Sequence, residues 1–260
     1  MLFADSEPRG LDAAQAVLAE LRRVEARLSL FDEASDLVEL NRLAGRRAMR
    51  VDADLLAVLA WSRRLARETG GAFDPAVEPL MRAWGFHLPR RSAPSARELA
   101  EAREAVRAAE IRVATGRAYL PSAHTQLDFG GIGVGYALDR AAAVLRARGI
   151  ARGLVDVSGD VIATGAPPGE TGWPVRIAAP ASATVRLRDA ALATSANAAS
   201  VVRYGDLVVG HVLDPATGQP ARALRQVTVV ARTGVEADAL ATAALVRGRR
   251  PARAIAFLPV

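Results

Sequence analysis

The chain has 260 residues, of which 51% are hydrophobic, so it can bury one large core or two small ones. It contains no cysteine, which excludes disulfides and thiolate chemistry, and we expect no cysteine-linked lipid anchor. The net charge of +6 comes from arginines scattered among alanines without interleaved aromatic residues, so we expect no nucleic acid as a partner. No run of about 18 apolar residues occurs, and the sequence therefore predicts no transmembrane segment. The first residues lack the features of a signal peptide, which leaves the compartment open.

The first half of the chain is predicted to be mainly helical, because apolar residues recur at helical spacing between charged ones. Ser35 is a candidate cap for a short helix that carries Asn41, and Gly70-Gly71 is a candidate helix stop. Residues 1–5 are expected to be the tail of a strand. The predicted helices of this half are residues 11–30, 35–43, 51–69 and 95–109.

The second half mixes short predicted strands with two helices, 136–148 and 235–248. A hairpin is expected around Gly116 and another around Ser158-Gly159-Asp160, whereas residues 193–197 are predicted to be a small polar turn. The other predicted strands are residues 173–178, 184–187, 226–231 and one from 208 that runs into an Asp-Pro turn. Strands and helices mix without strict alternation, which predicts an α+β fold, and we expect residues 1–260 to form a single domain.

Residues 127–140 form a glycine-rich stretch, with Gly130, Gly131, Gly133 and Gly135 directly before a predicted helix. Glycine lets a backbone approach a ligand closely, and a helix N-terminus attracts anions. The stretch therefore indicates a phosphate cradle, although glycines before a helix are equally common as plain turns. The dinucleotide-binding pattern fails in both registers, and a P-loop is excluded because the chain contains no lysine.

Two further positions carry candidate chemistry. Asp238 and Thr242 stand four residues apart on one predicted helix, so their oxygens project from one face and suit Mg²⁺ or Ca²⁺. The alternative is that Asp238 is an ordinary residue near a helix N-terminus and that Thr242 packs against a strand. His211, between a strand and an Asp-Pro turn, is either near a cleft or a structural hydrogen-bond donor. The three histidines are too dispersed in sequence for a local metal motif.

Several short motifs follow one another along the chain. They are Ser35-Asp-Leu-Val-Glu-Leu-Asn41, Gly70-Gly-Ala-Phe-Asp-Pro75, Trp84-Gly-Phe86, residues 127–139, Asp156-Val-Ser-Gly159, His211-Val-Leu-Asp-Pro-Ala-Thr-Gly218 and Ala237-Asp-Ala-Leu-Ala-Thr242. Taken in this order, they resemble the motifs of the ApbE-type flavin transferases. The resemblance runs from about residue 20 to about residue 250, and its last two motifs are specific.

The resemblance implies transfer of FMN from FAD to a threonine or serine hydroxyl of an acceptor flavoprotein, with release of AMP and a requirement for Mg²⁺. Some members of the family instead hydrolyse FAD to FMN and AMP. By motif, Asp238, Thr242 and the backbone carbonyl of Gly131 would bind Mg²⁺. His211, or else a carboxylate, would take the proton of the acceptor hydroxyl, and Asp238 would serve catalysis through the metal. The residues expected to contact FAD are Ala72, Phe73, Asp74, Asp128 and Val212, with Val134 at a further position of the same site.

The sequence departs from the family pattern at three places. Val134 occupies the position of the family's usual lysine and cannot contact phosphate. We also expect that the chain begins just after the family's first strand, which contains Met-Gly-Thr, and ends short of its last strand. These departures keep a rival interpretation open, a flavin-binding protein without catalysis, whereas the presence of both Asp238 and Thr242 favours an enzyme.

Overall fold

The computed structural model describes residues 1–178 and 182–260. Within these ranges the fold is α+β, as predicted. The helices are α1 (Glu7–Leu28), α2 (Asp36–Arg42), α3 (Ala53–Glu68), α4 (Glu78–Ala83), α5 (Ala96–Arg107), α6 (Gly133–Ala147) and α7 (Gly234–Arg247). The strands are β1 (Leu2–Phe3), β2 (Met49–Arg50), β3 (Arg112–Ala114), β4 (Arg117–Tyr119), β5 (Arg152–Val157), β6 (Asp160–Thr164), β7 (Trp173–Arg176), β8 (Thr184–Leu187), β9 (Ala190–Ala196), β10 (Val201–Tyr204), β11 (Leu207–Gly210), β12 (Gln226–Ala231) and β13 (Ala256–Pro259).

A six-stranded antiparallel sheet with the order β1-β5-β6-β9-β12-β13 forms the centre of the fold. Both faces of its middle strands are buried, and alternate side chains belong to two different clusters. Ile162, Ala193 and Val229 pack under the helices, whereas Leu192 and Val230 face the hairpin β7–β8. The sheet therefore lies between a helical layer and a hairpin.

Helix α7 lies at the centre of the helical layer and is buried on nearly all sides. Its inward positions are mainly alanine, and it packs against the alanines of β9. Small side chains on both surfaces let a helix approach a sheet closely. This close approach places the first turns of α7 beside the end of the sheet where the candidate site lies.

The predicted helix caps are confirmed. Ser35 accepts a hydrogen bond from the backbone of Val38, and Ser95 forms a capping box with Glu98. Gly70 and Gly71, which follow α3, have φ angles of +62° and +76°, a region that favours glycine. Local side-chain chemistry thus sets where these helices begin and end.

Three sequence-based assignments need correction or extension. The turn predicted at 193–197 is wrong, because residues through Ala196 belong to β9, where pairing with β12 outweighs their weak strand propensity. Helix α6 begins at Gly133 rather than at residue 136, so two of the four glycines lie inside it. Strand β10, which pairs with β11, was not predicted. The segments near both ends form strands, β1 beside β5 and β13 beside β12.

No helix of residues 1–178 and 182–260 is both long and apolar enough to cross a membrane.

Candidate active site

A cavity of about 280 Å³ opens where α7, the glycines just before α6 and the ends of β6 and β9 meet the loops at 72–77 and 211–215. It brings together every site residue named from the sequence except Val134. The lining residues among them are Ala72, Phe73, Asp74, Asp128, Gly131, His211, Val212, Asp238 and Thr242. Val134 instead lines a neighbouring apolar cavity between α1 and α6, together with Leu21 and Val24.

Asp238 is held in place by the first turn of α6. It is 6% exposed, and its Oδ2 accepts a hydrogen bond of 3.0 Å from the backbone of Gly135. A side chain at Gly135 would lie 2.2 Å from the carbonyl oxygen of Gly234, so the two helices can cross this closely only through glycine. Oδ1 of Asp238 has no hydrogen-bond partner in the parts of the chain that the structure describes.

Gly131 and Thr242 lie close together in the same cavity as Asp238. A Cβ at Gly131 would lie 2.9 Å from Oγ1 of Thr242, so this glycine leaves room beside the hydroxyl. Oγ1 of Thr242 lies 3.4 Å from Oγ of Ser195. A carboxylate oxygen without a partner, a hydroxyl and a nearby backbone carbonyl are hard oxygen donors, and this donor set fits Mg²⁺.

Asp160 is a residue of this cavity that the sequence analysis did not single out. It begins β6, directly after the motif Asp156-Val-Ser-Gly159, and its Oδ1 accepts a 3.0 Å hydrogen bond from the backbone of Thr194. Burial raises the pKa of Asp160 to about 6. Burial and, secondarily, the charge of Asp160 raise the pKa of Asp238 well above its usual value. A hairpin turn gives no sequence signal that its last residue faces a distant helix.

Two more carboxylates line the cavity on the side of the 72–77 loop. Oδ1 of Asp74 accepts from the backbone of Ala76 at 2.9 Å, and Oδ1 of Asp128 accepts from Gly130 at 2.7 Å. The backbone of Asp128 also donates to the carbonyl of Pro75, which joins the two loops. Burial raises the pKa of both carboxyl groups. A carboxyl group whose protonation is favoured can both donate and accept hydrogen bonds, which suits the polar edge of a ring ligand.

His211 lines the cavity at the end of the 201–210 hairpin. Its Nδ1 is buried and has no hydrogen-bond partner in the described residues, and its backbone N–H donates to Ser200. Burial lowers the pKa of His211. The imidazole is therefore neutral near pH 7 and able to accept a proton.

His87 also lines the cavity, although it is far from His211 in the sequence. Its Nδ1 lies 2.5 Å from Oε2 of Glu78, a fully buried carboxylate whose Oε1 accepts from Arg82. Donor atoms of Glu78, His87 and Asp128 lie within 4.8 Å of one another. Because both oxygens of Glu78 already bind cationic partners, these residues form an internally neutralised cluster, and the donors around Asp238 fit a metal ion better.

An exposed aromatic ring stands at the mouth of the cavity. Phe31 is 81% exposed and meets the ring of His87 edge to face, with 5.4 Å between centroids. No motif in the sequence pointed to Phe31 as a residue of the site. An exposed aromatic side chain beside a polar cavity offers a face against which a planar ligand can stack.

The chain is similar to known proteins over nearly its whole length. A family model described as the ApbE family matches residues 2–258. An FAD:protein FMN transferase of Klebsiella pneumoniae is 30% identical over 265 residues, which cover 95% of this chain and 76% of that protein. An FAD:protein FMN transferase of Treponema pallidum is 30% identical over 258 residues, which cover 91% and 71%.

Solved structures agree with these sequence matches. The ApbE protein of Thermotoga maritima superimposes with a TM-score of 0.86 at 30% identity, covering 95% of this chain and 82% of that one. The apo form of the flavinyl transferase ApbE of Pseudomonas stutzeri gives a TM-score of 0.80 at 29% identity, covering 91% and 76%. The sequence and the fold of the chain thus both have counterparts among known proteins.

Proposed function

The chain belongs to the ApbE family, and from this we propose that it is an FAD:protein FMN transferase. In this reaction FAD is the substrate, a protein is the acceptor and AMP is the second product. The observation that carries the proposal is that Gly131, His211 and the pair Asp238 and Thr242, from three separate parts of the sequence, line one cavity. A mere flavin carrier would not require a partnerless carboxylate oxygen next to a hydroxyl.

We propose that Asp238, Thr242 and the backbone carbonyl of Gly131 hold Mg²⁺. When bound, Mg²⁺ neutralises charge on the diphosphate oxygens and so favours attack at phosphorus. Oδ2 of Asp238 is occupied by the Gly135 N–H, which leaves Oδ1 for the cation. The glycine at 131 keeps side-chain atoms away from the hydroxyl of Thr242, so that a ligand can reach it.

The acceptor in this proposal is a threonine or serine hydroxyl of a flavoprotein. Its oxygen attacks the phosphorus of the FMN half of FAD and forms a new P–O bond. The bond from that phosphorus to the bridging oxygen breaks, and AMP leaves with the bridging oxygen. His211 takes the hydroxyl proton on its imidazole, because the buried ring is neutral at the start of the reaction.

The binding of FAD is proposed to involve the residues on the opposite side of the cavity. Phe73 supplies apolar surface, and the carboxyl groups of Asp74 and Asp128 supply polar contacts beside it. Val134 faces a neighbouring cavity and therefore contributes an apolar wall rather than a charge. The first turns of α6 and α7 meet near the cavity, and their partial positive charge favours the diphosphate.

The proposal is tested by incubating the purified protein with FAD and a peptide or protein acceptor, with Mg²⁺ or with EDTA. Products are followed as AMP, free FMN and acceptor-bound flavin. Mg²⁺-dependent AMP release in step with labelled acceptor supports the transferase. AMP with free FMN, unaffected by any acceptor, would instead identify an FAD diphosphatase. FAD binding without AMP, even with acceptors known to be flavinylated by relatives, would identify a non-catalytic flavin-binding protein.

A further inference from the structure

Asp160 lies on the sheet side of the cavity, in strand β6, which contains none of the proposed Mg²⁺ ligands. Both it and Asp238 line the cavity, one from β6 and the other from α7. Asp238 is 6% exposed, and Asp160 is half-buried at the first position of its strand. Two carboxylates from separate elements therefore line the same cavity.

No basic residue neutralises this pair in the parts of the chain that the structure describes. The sequence contains 34 basic residues, and elsewhere in the fold arginines pair with buried or half-buried acids such as Asp54 and Glu78. Asp160 and Asp238 receive hydrogen bonds only from backbone N–H groups, those of Thr194 and Gly135. Removing a carboxylate from water without a cationic partner is costly, and a bound proton or metal ion reduces that cost.

The carboxylate of Asp160 is also held in a fixed position. Its Oδ1 accepts a hydrogen bond from the backbone N–H of Thr194. The hydroxyl of that threonine is in turn hydrogen-bonded to the hydroxyl of Thr228, with 2.8 Å between the oxygens. The left-handed residues Ser158 and Gly159, with φ of +55° and +97°, make the tight turn from which Asp160 starts β6. A preoriented oxygen loses little freedom when it binds an ion.

We propose that Asp160 is a further carboxylate of the divalent-cation site, which binds the cation together with Asp238, either directly or through a bound water. This inference rests on the proposed function, since it extends the Mg²⁺ site already assigned to Asp238 and Thr242. It adds a ligand from the sheet to a site otherwise formed by α7 and the glycine-rich stretch. The cation then joins the helical layer to the sheet and also relieves the repulsion between the two carboxylates.

The test uses Mn²⁺ as a spectroscopic substitute for Mg²⁺ and measures free Mn²⁺ by electron paramagnetic resonance, without any turnover. The variant Asp160→Asn retains an oxygen that can accept the Thr194 N–H but carries no charge. We expect its Mn²⁺ affinity to fall by roughly 10- to 100-fold, the range seen when a supporting group of a metal site is lost. The matched control is Asp156→Asn on the same hairpin, whose carboxylate is exposed and accepts from the backbone of Gly159. It should bind Mn²⁺ as the wild type does.

Thermal unfolding with and without Mg²⁺ gives a second, independent measurement. Without the cation, Asp160→Asn should be at least as stable as the wild type, because one of two repelling carboxylates is gone. The increase in melting temperature on adding Mg²⁺ should be smaller in the variant than in the wild type. If Asp160→Asn does not fold, Asp160→Ser is tested in the same way, since its hydroxyl is also uncharged.

The outcomes separate this inference from the proposed function. Wild-type Mn²⁺ affinity in Asp160→Asn, combined with lost affinity in Asp238→Asn, would overturn the role of Asp160 and leave the Mg²⁺ site intact. Wild-type affinity in both variants would overturn the assignment of the whole site. A variant at Asp160 that is less stable without cation, and whose stabilisation by Mg²⁺ is unchanged, would show a purely structural role and also overturn the inference.

Discussion

The backbone N–H of Gly135 donates a hydrogen bond to Oδ2 of Asp238, with 3.0 Å between the two atoms. In return, Asp139 of α6 accepts from the backbone N–H groups of Gly234 and Val235, at 2.7 and 3.0 Å. Each helix thus supplies the carboxylate that satisfies the first turn of the other. Asp238 consequently serves the fold through one oxygen and is proposed to serve the metal site through the other.

Substitution of Asp238 separates these two roles. Asp238→Asn keeps an oxygen that can accept the Gly135 N–H, so we expect a folded protein with a melting temperature close to that of the wild type. Mg²⁺-dependent AMP release should fall by roughly 100-fold or more, because the charged ligand is lost. Asp238→Ala should abolish the activity and also lower stability. Asp139→Asn is the control, expected to reduce stability and leave the Mg²⁺ requirement unchanged. Wild-type AMP release by Asp238→Asn would contradict the metal assignment.

The close crossing of α6 and α7 predicts a strong effect of a single methyl group. In Gly135→Ala the new Cβ would lie 2.2 Å from the carbonyl oxygen of Gly234 and 2.8 Å from Cβ of Asp238, so the helices must separate. We expect the free energy of unfolding to drop by about 3 kcal/mol or more, as in severe overpacking. Urea unfolding measures this directly.

The control for this experiment lies two residues earlier on the same helix. In Gly133→Ala the nearest atom to the new Cβ is 3.8 Å away, an ordinary contact with Phe129. Alanine also favours helix over glycine by up to about 1 kcal/mol, so this variant should be as stable as the wild type or more so. Equal destabilisation of both variants would show that the crossing does not require glycine at 135.

The lowered pKa of His211 predicts the acidic limit of activity. As a general base the imidazole must be neutral, and burial keeps it neutral to pH values below its ordinary pKa of 6.5. We therefore expect kcat/KM for FMN transfer to remain level as pH falls to about 6.5 and to decrease only below that value. His211→Gln should reduce transfer to the acceptor by roughly 100-fold or more at every pH and remove this acidic limb, while FAD binding measured by fluorescence is retained. If the decrease in kcat/KM below pH 6.5 persisted in His211→Gln, a group other than His211 would be responsible for it.

The pair of His87 and Glu78 predicts that the free energy of unfolding decreases as pH rises. The contact with Glu78 outweighs the effect of burial, and the pKa of His87 is raised above 6.5. The imidazolium form therefore stabilises the fold fully below pH 6.5, and this contribution is lost as pH rises through the raised pKa. His87→Gln should lose roughly 1–3 kcal/mol near pH 6 and clearly less near pH 9. A loss that is equal at both pH values, measured by urea unfolding, would show that the pair contributes no charge-dependent stability.

Local patterns in the sequence were sufficient for most secondary structure and for the order of the motifs. Apolar spacing predicts the helices, and so do caps such as Ser35 and Ser95, whose side chains each accept a hydrogen bond from a backbone N–H three residues later. The spacing of Asp238 and Thr242 likewise places both side chains on one face of α7, whatever surrounds that helix. Such features depend on neighbours along the chain and can therefore be derived without the fold.

Other features arise only from contacts between segments far apart in the chain. Thr194 and Ser195 of β9 are predicted to lie in a turn, and they belong to a strand because β12 pairs with them. The same holds for the site. Asp160, His87 and Phe31 look like turn or loop residues in the sequence, and only the packing of α7 and the 72–77 loop against the sheet brings them to one cavity. The sequence by itself determined which donors the protein carries, whereas the tertiary structure decided which of them share an enclosed space, since burial and the proximity of charges are properties of packing.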